Sequence, residues 1–295
     1  MLVAAGTVTS VMASNVVCGR PAPSFPPCQK LSASSSAPPP PTQTPLVIAP
    51  QALNDSMIDA METTFLPYLL PGDTIMLSSG AGSGGSAANV AALDSWLSKL
   101  QPHLPAGVAF EARTSGLANV QTIASGVGSA FEGIVYDYEP GFEPEFSLNF
   151  TTTLHEFENF SRICHAEGFK AFGYPFSAPL WSAGDREYGW NFGELAATTG
   201  VDSLQIQLQG AAHESTKTWN SSIQTLIAQY AAYGLPASAI SVQLTLAAGD
   251  PNNISVGAAY ADYEYAIGQG VRQVVLWWNS ASIDSVESLL ALIRG

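Results

Sequence analysis

Two acidic residues, Asp137 and Glu139, stand two positions apart in the run Phe131-Glu132-Gly133-Ile134-Val135-Tyr136-Asp137-Tyr138-Glu139-Pro140. The run is rich in β-formers, and on a strand residues i and i+2 share a face, roughly 7 Å apart. Gly133 and Val135 continue that face inward. Two carboxylates side by side on an apolar surface repel each other and lose hydration, so one of them should hold its proton near neutral pH. A carboxyl group protonated there can serve as a general acid. The structural alternative is one carboxylate bound to an arginine or capping the next helix. With ten Lys and Arg against 24 Asp and Glu, such partners are scarce.

Other polar residues recur with a period of two. Gln205, Gln207 and Gln209 alternate with Leu204, Ile206 and Leu208, and Ser241, Gln243 and Thr245 alternate with Val242, Leu244 and Leu246. The apolar set suits a helix-covered face. The amide and hydroxyl set then faces an enclosed space, where sugar hydroxyls or water would satisfy it. Trp277, with Tyr174, Trp181 and Trp278 as extensions of it, offers a ring face suited to the apolar side of a pyranose. Glu111 and Arg113 form either a second charged pair in the site or a structural ion pair.

One rival site is present. Gly80-Ala81-Gly82-Ser83-Gly84-Gly85 matches GxGxxG between a strand-like and a helix-like segment, with Glu111 ending the next strand. Ser78 and Ser79 separate the strand from the first glycine, and small residues crowd the segment. A flexible βα loop is the favoured reading over a nucleotide site. No cofactor is expected. The three cysteines (Cys18, Cys28, Cys164) and four histidines (His103, His155, His165, His213) lack zinc-site spacing, so no metal is expected either. Cys164 falls on an apolar helical stripe and reads as a core thiol rather than a nucleophile.

The elements that must position these residues begin at Leu46. Eight β-rich runs, Leu46–Ala49, Thr74–Ser78, Val108–Ala112, Gly133–Glu139, Lys170–Tyr174, Ser203–Gln209, Ile240–Leu246 and Gln273–Trp278, are each followed by a helix-like stretch. Leu154, Phe157, Phe160 and Cys164 form one helical stripe, and Trp219, Ile223, Leu226, Ile227 and Tyr230 form another. Eight β-then-α units over about 250 residues give a (β/α)8 TIM barrel, an α/β fold whose function gathers at the C-terminal ends of the strands.

Gly133-Ile134-Val135-Tyr136-Asp137-Tyr138-Glu139 resembles the strand-four signature DGxDxDxE of the family 18 chitinases and related endo-β-N-acetylglucosaminidases. The resemblance implies a (β/α)8 barrel, with Glu139 as general acid and Asp137 assisting the substrate N-acetyl group. It also implies that Gln207 and Gln209 lie where the family carries a Gln-x-Tyr or Met-x-Tyr, Gln209 replacing the tyrosine. Trp277 matches the strand-eight tryptophan under the reacting sugar. Val135 departs from the signature by replacing its first core aspartate, and Glu132 stands for the leading one. The tail Tyr136-Asp137-Tyr138-Glu139-Pro140 also resembles secreted barrels with a YDxEP-type strand.

Composition narrows the partners. A net charge of -14 repels phosphate backbones and anionic membranes, which leaves neutral carbohydrates as the expected ligand class. No apolar run is long enough to span a membrane. Met1–Ala13 reads as an export signal ending in Val11-Met12-Ala13, without a basic start, and residues 14–45 as a disordered Pro/Ser-rich linker. Cys18 and Cys28 could close a disulfide loop outside the cell. The barrel then occupies residues 46–295 of a secreted protein, expected to be a monomer. Two functions follow: a glycoside hydrolase acting on N-acetylhexosamine-containing glycans, or a non-catalytic carbohydrate-binding barrel.

Overall fold

A computed structural model describes residues 44–78, 87–140, 146–177 and 190–295. Eight parallel strands close on themselves in chain order. They are β1 (Leu46–Pro50), β2 (Thr74–Ser78), β3 (Ala109–Thr114), β4 (Gly133–Tyr138), β5 (Lys170–Pro175), β6 (Ser203–Ile206), β7 (Ile240–Thr245) and β8 (Gln273–Trp278). Around them run α1 (Asp55–Thr63), α2 (Ala87–Leu100), α3 (Leu117–Gly126), α4 (Phe150–Ala166) and α5 (Phe192–Thr198), then α6 (Gln209–Glu214), α7 (Thr216–Ala232), α8 (Val256–Gly268) and α9 (Ile283–Arg294). The chain is a (β/α)8 TIM barrel, as the spacing of its β-rich runs predicts. The export signal, nearly all of the linker, Cys18, Cys28, the Gly80–Gly85 loop and Trp181 lie outside the described residues.

Two edges differ from expectation in ways that matter. β3 extends to Thr114, which brings Arg113 into the strand. β6 stops at Ile206, so Gln209 opens a short helix instead of continuing the alternating row. Gln207 keeps only a bridge to Phe176.

The period of two divides the strand residues between two cores. Ile48, Leu77, Tyr136, Tyr138, Leu204, Ile206, Leu244 and Trp278 pack outward against the helices in one large cluster. Cys164 joins it, fully buried, and burial pushes its thiol up to about 12, as befits a core residue. Trp278 belongs there too, edge-on to Phe65 at 5.2 Å, so it does not extend an aromatic surface at the mouth. Val47, Ala49, Met76, Val135, Phe172, Tyr174 and Val275 form a second, smaller cluster inside the barrel. Gly133 is required at its inward position, because a Cβ there would stand 2.5 Å from the Phe172 ring.

Closure is tied at the N-terminal end by Asp73, which is 1% exposed. Its Oδ1 accepts from the Leu46 amide and its Oδ2 from the Leu70 amide, each at 2.8 Å. Arg294, in the last turn of α9, donates to both oxygens at 2.7 and 2.8 Å and to the Thr44 carbonyl at 3.2 Å. One carboxylate thus joins the first strand to the last helix. Removing one partner of a buried ion pair strands the other charge. Arg294→Ala should therefore lower stability by about 3 kcal/mol, seen as a reduced urea midpoint with an unchanged slope.

Candidate active site at the C-terminal mouth

β4 carries the acidic pair, and its outward residues fix it in place. Tyr136 stacks on Phe160 at 4.9 Å and Tyr138 on Phe146 at 4.4 Å. The Tyr138 hydroxyl donates to the Ser147 carbonyl at 3.0 Å and accepts from the Ser147 amide at 3.1 Å. With both tyrosines anchored in the helix layer, strand alternation turns Asp137 into the lumen. Glu139 follows directly after the strand at the mouth, half-buried. Its charge acts on both Arg113 and Tyr174, so it shares their space.

Asp137 is held from both sides. Gln207 Nε2 donates to its Oδ1 at 2.9 Å, and Arg113 Nε donates to its Oδ2 at 2.9 Å. Arg113 Nη2 adds a second, shorter contact to Oδ2. An arginine is thus the partner that the charge balance makes scarce, and the expectation of two unneutralised carboxylates is corrected. Burial on its own would lower the Arg113 pKa. Burial is the largest single effect, but the Asp137 charge and hydrogen bond together with the Tyr174 and Glu139 charges outweigh it, and the guanidinium ends above its ordinary value. The guanidinium also lies over the Trp277 ring, 4.4 Å from its centroid, and 5.7 Å from that of Tyr174. Such stacking suits a planar, weakly hydrated cation.

The remaining predicted residues fall into place around this pair. Tyr174 is the register partner of Asp137 on β5, buried, with a hydroxyl that has no hydrogen-bond partner among the described residues. Burial raises its pKa well above the usual tyrosine value. Gln207 also donates to the Tyr174 carbonyl at 3.0 Å, and Ser177 Oγ donates to the Gln207 carbonyl. Gln209 reaches the site from its helix, its Nε2 donating to Gln207 Oε1 at 3.4 Å. Val135 belongs to the apolar plug below, so the position where the signature has an aspartate offers Asp137 no proton partner.

Glu111 sits elsewhere. It lies two residues below Arg113 on β3, roughly 7 Å deeper in the lumen, and accepts from Gln205 Nε2 at 2.9 Å. The expected Glu111–Arg113 pair is replaced by Arg113–Asp137, because the long arginine side chain extends toward the mouth. Burial chiefly pushes the Glu111 carboxyl up to about 7, the Gln205 hydrogen bond opposing it. Arg113 is the residue that sequence reasoning misplaced. Continuing the inward alternation of β3 from Glu111 would have pointed it into the lumen, where its register partner is Val135 and its long side chain reaches up to Asp137.

No family model matches the chain, and no curated protein does. Solved structures do. A chitinase from Bacteroides thetaiotaomicron aligns with a TM-score of 0.55 and 12% identity, over 85% of this chain and 96% of that one. A chitinase from Chromobacterium violaceum ATCC 12472 aligns at 0.50 and 12%, over 84% and 98%. N-acetylneuraminate lyase (sialic acid aldolase) from Aliivibrio salmonicida aligns at 0.43 and 10%, over 79% and 69%. At these identities the likeness is one of fold alone, that of the (β/α)8 barrel.

Two measurements probe the buried charges. In a double-mutant cycle of Arg113→Met and Asp137→Asn, a coupling of about 2 kcal/mol is expected by chemical denaturation. For Glu111 the raised pKa favours the proton-bound native state. Its contribution is complete below pH 4.5, the ordinary value, and is lost as pH rises through about 7. Glu111→Gln should abolish that slope and leave the variant more stable than the parent at pH 8, by about 3 kcal/mol at most.

Proposed function

We propose that the chain is a glycoside hydrolase acting on N-acetylhexosamine-containing glycans, exported from the cell, with Glu139 as general acid. The observation that carries this reading is the end of β4. There a half-buried Glu139 follows an Asp137 locked in position, at the mouth where Tyr174 and Trp277 supply aromatic walls. In the chemistry the signature implies, Glu139 gives its carboxyl proton to the glycosidic oxygen as the bond to the anomeric carbon breaks. The substrate's N-acetyl oxygen bonds to that carbon. Water then displaces it, returning a proton to Glu139.

Asp137 can still assist. A carboxylate offers about four acceptor positions, and Arg113 and Gln207 together use three. The last can take the N-acetyl N–H, whose positive charge grows as the carbonyl oxygen attacks. Arg113 would keep Asp137 rigid at that moment, which favours a preorganised site.

One observation favours a second reading, a non-catalytic carbohydrate-binding barrel. The Arg113 guanidinium lies over the Trp277 ring, where a sugar would otherwise stack, and Val135 removes the aspartate that would share a proton with Asp137. A fluorogenic glycoside panel including chitooligosaccharides, run from pH 3 to 8, separates the two. Turnover in the parent that falls at least about 100-fold in Glu139→Gln supports the hydrolase. Undiminished turnover in the variant rejects Glu139 as the acid. Calorimetric binding without turnover in either protein supports the binding barrel.

A further inference from the structure

The opposite end of the barrel holds a cavity that the proposed hydrolysis does not use. Its volume is about 570 Å³, within the range of small-molecule sites. The first residues of β2, β3, β6 and β8 (Thr74, Ala109, Ser203 and Gln273) surround it, and it reaches inward to Glu111, Gln205 and Phe172. The lumen of such a barrel is ordinarily filled with branched apolar side chains. Here the residues are polar and buried: Glu111 is 3% exposed, Gln205 1% and Ser203 8%.

The hydrogen-bonding balance of this lining is lopsided. Gln205 commits its Nε2 to Glu111, while its Oε1 and the Ser203 Oγ have no hydrogen-bond partner among the described residues. A buried amide oxygen without a donor costs stability, as does an unsatisfied hydroxyl, which can accept or donate, so the lining is complementary to a molecule that carries N–H or O–H donors. Charge narrows the choice further. Of the three ionisable residues that line the cavity, Glu132 and Arg272 are exposed and Glu111 is buried, and the hydrogen bond Glu111 receives comes from a neutral amide. Glu132 at the rim is paired with Lys170, and Arg272, also at the rim, is exposed; Arg272 and Lys170 act on Glu111 through their charges. Asp73 and Arg294 nearby satisfy each other. The ring of Phe172 gives an apolar wall beside these oxygens.

We propose that this cavity is a second ligand site, for a small protonated amine whose N–H groups are received by Glu111, Gln205 Oε1 and Ser203 Oγ, with Phe172 against its alkyl part. A neutral polyol would satisfy the acceptors but leave the carboxylate uncompensated, and an anion would be repelled by it. The net charge of -14 raises the local concentration of cations around the protein. Because a bound cation favours ionised Glu111, binding is coupled to loss of its proton. Affinity therefore rises with pH up to about 7 and levels off above.

Calorimetric titration of the full chain with ethylammonium, glycerol and tetramethylammonium, in buffers of differing ionisation enthalpy, tests this. Saturable binding of ethylammonium is expected, releasing about 0.9 proton at pH 6 and about 0.1 at pH 8 for a carboxyl titrating near 7. Tetramethylammonium, which has no N–H, should bind at least about tenfold more weakly, and so should ethylammonium to Glu111→Gln at pH 8. Glu139→Gln should bind ethylammonium as the parent does, which separates this site from the mouth. Proton release from the parent is a readout that needs no variant to fold. No saturable heat with ethylammonium, glycerol binding equally well, proton release absent at pH 6, or loss of binding in Glu139→Gln would each overturn the proposal.

Discussion

A closed ring of eight parallel strands leaves each inward side chain nowhere to go but a narrow lumen sealed from bulk water. Any polar group sent there must be answered by another protein group or by a ligand, because its water has been stripped away. The lumen of this barrel obeys that constraint in three tiers. An apolar plug of Val47, Met76, Val135, Phe172 and Val275 occupies the middle. Toward the strand ends, Arg113, Asp137 and Gln207 answer one another. Toward the strand starts, Glu111 and Gln205 answer each other only in part.

The two polar tiers illustrate opposite solutions to burying a carboxylate. Asp137 has a cation and an amide, and the cation itself is stacked on an aromatic ring. Such a cluster is rigid, which suits a group that must hold its place while bonds change nearby. Glu111 has an amide alone, and burial answers by shifting its proton affinity to about 7. A group of that kind changes charge within the neutral range, and it costs stability whenever it ionises. Natural proteins retain such costs most often where a function repays them.

Outside the lumen, the layout serves the same constraint. Tyr136 and Tyr138 lock β4 into the helix layer through stacked rings, so the acidic residues between and after them have little freedom. Asp73 performs a parallel task at the other end, where one carboxylate gathers the start of β1 and the end of α9. Both devices hold the ring in register, and the placement of every inward side chain depends on that register.

Much of this was legible in the chain itself. Runs of β-formers recurring between helical stripes determined the barrel, because period and spacing are local properties. Alternation determined which faces look inward: Gln205, Gln207, Ser241, Gln243, Asp137 and Trp277 all follow it, as does the outward set Leu204, Ile206 and Leu244. It failed at Gln209, where the chain turns into a helix two residues after the bridge at Gln207; Trp278, expected to extend the aromatic surface, lies outward, as alternation from Trp277 requires. Which charges meet was beyond local reading. Arg113 finds Asp137 rather than Glu111 because the strand-to-strand register and the reach of a long side chain set the vertical match. Neither is written in the spacing of one segment. The buried state of Glu111 and the cavity beneath it were likewise decided only when the ring closed, since desolvation is a property of the surroundings a residue acquires and not of the residue.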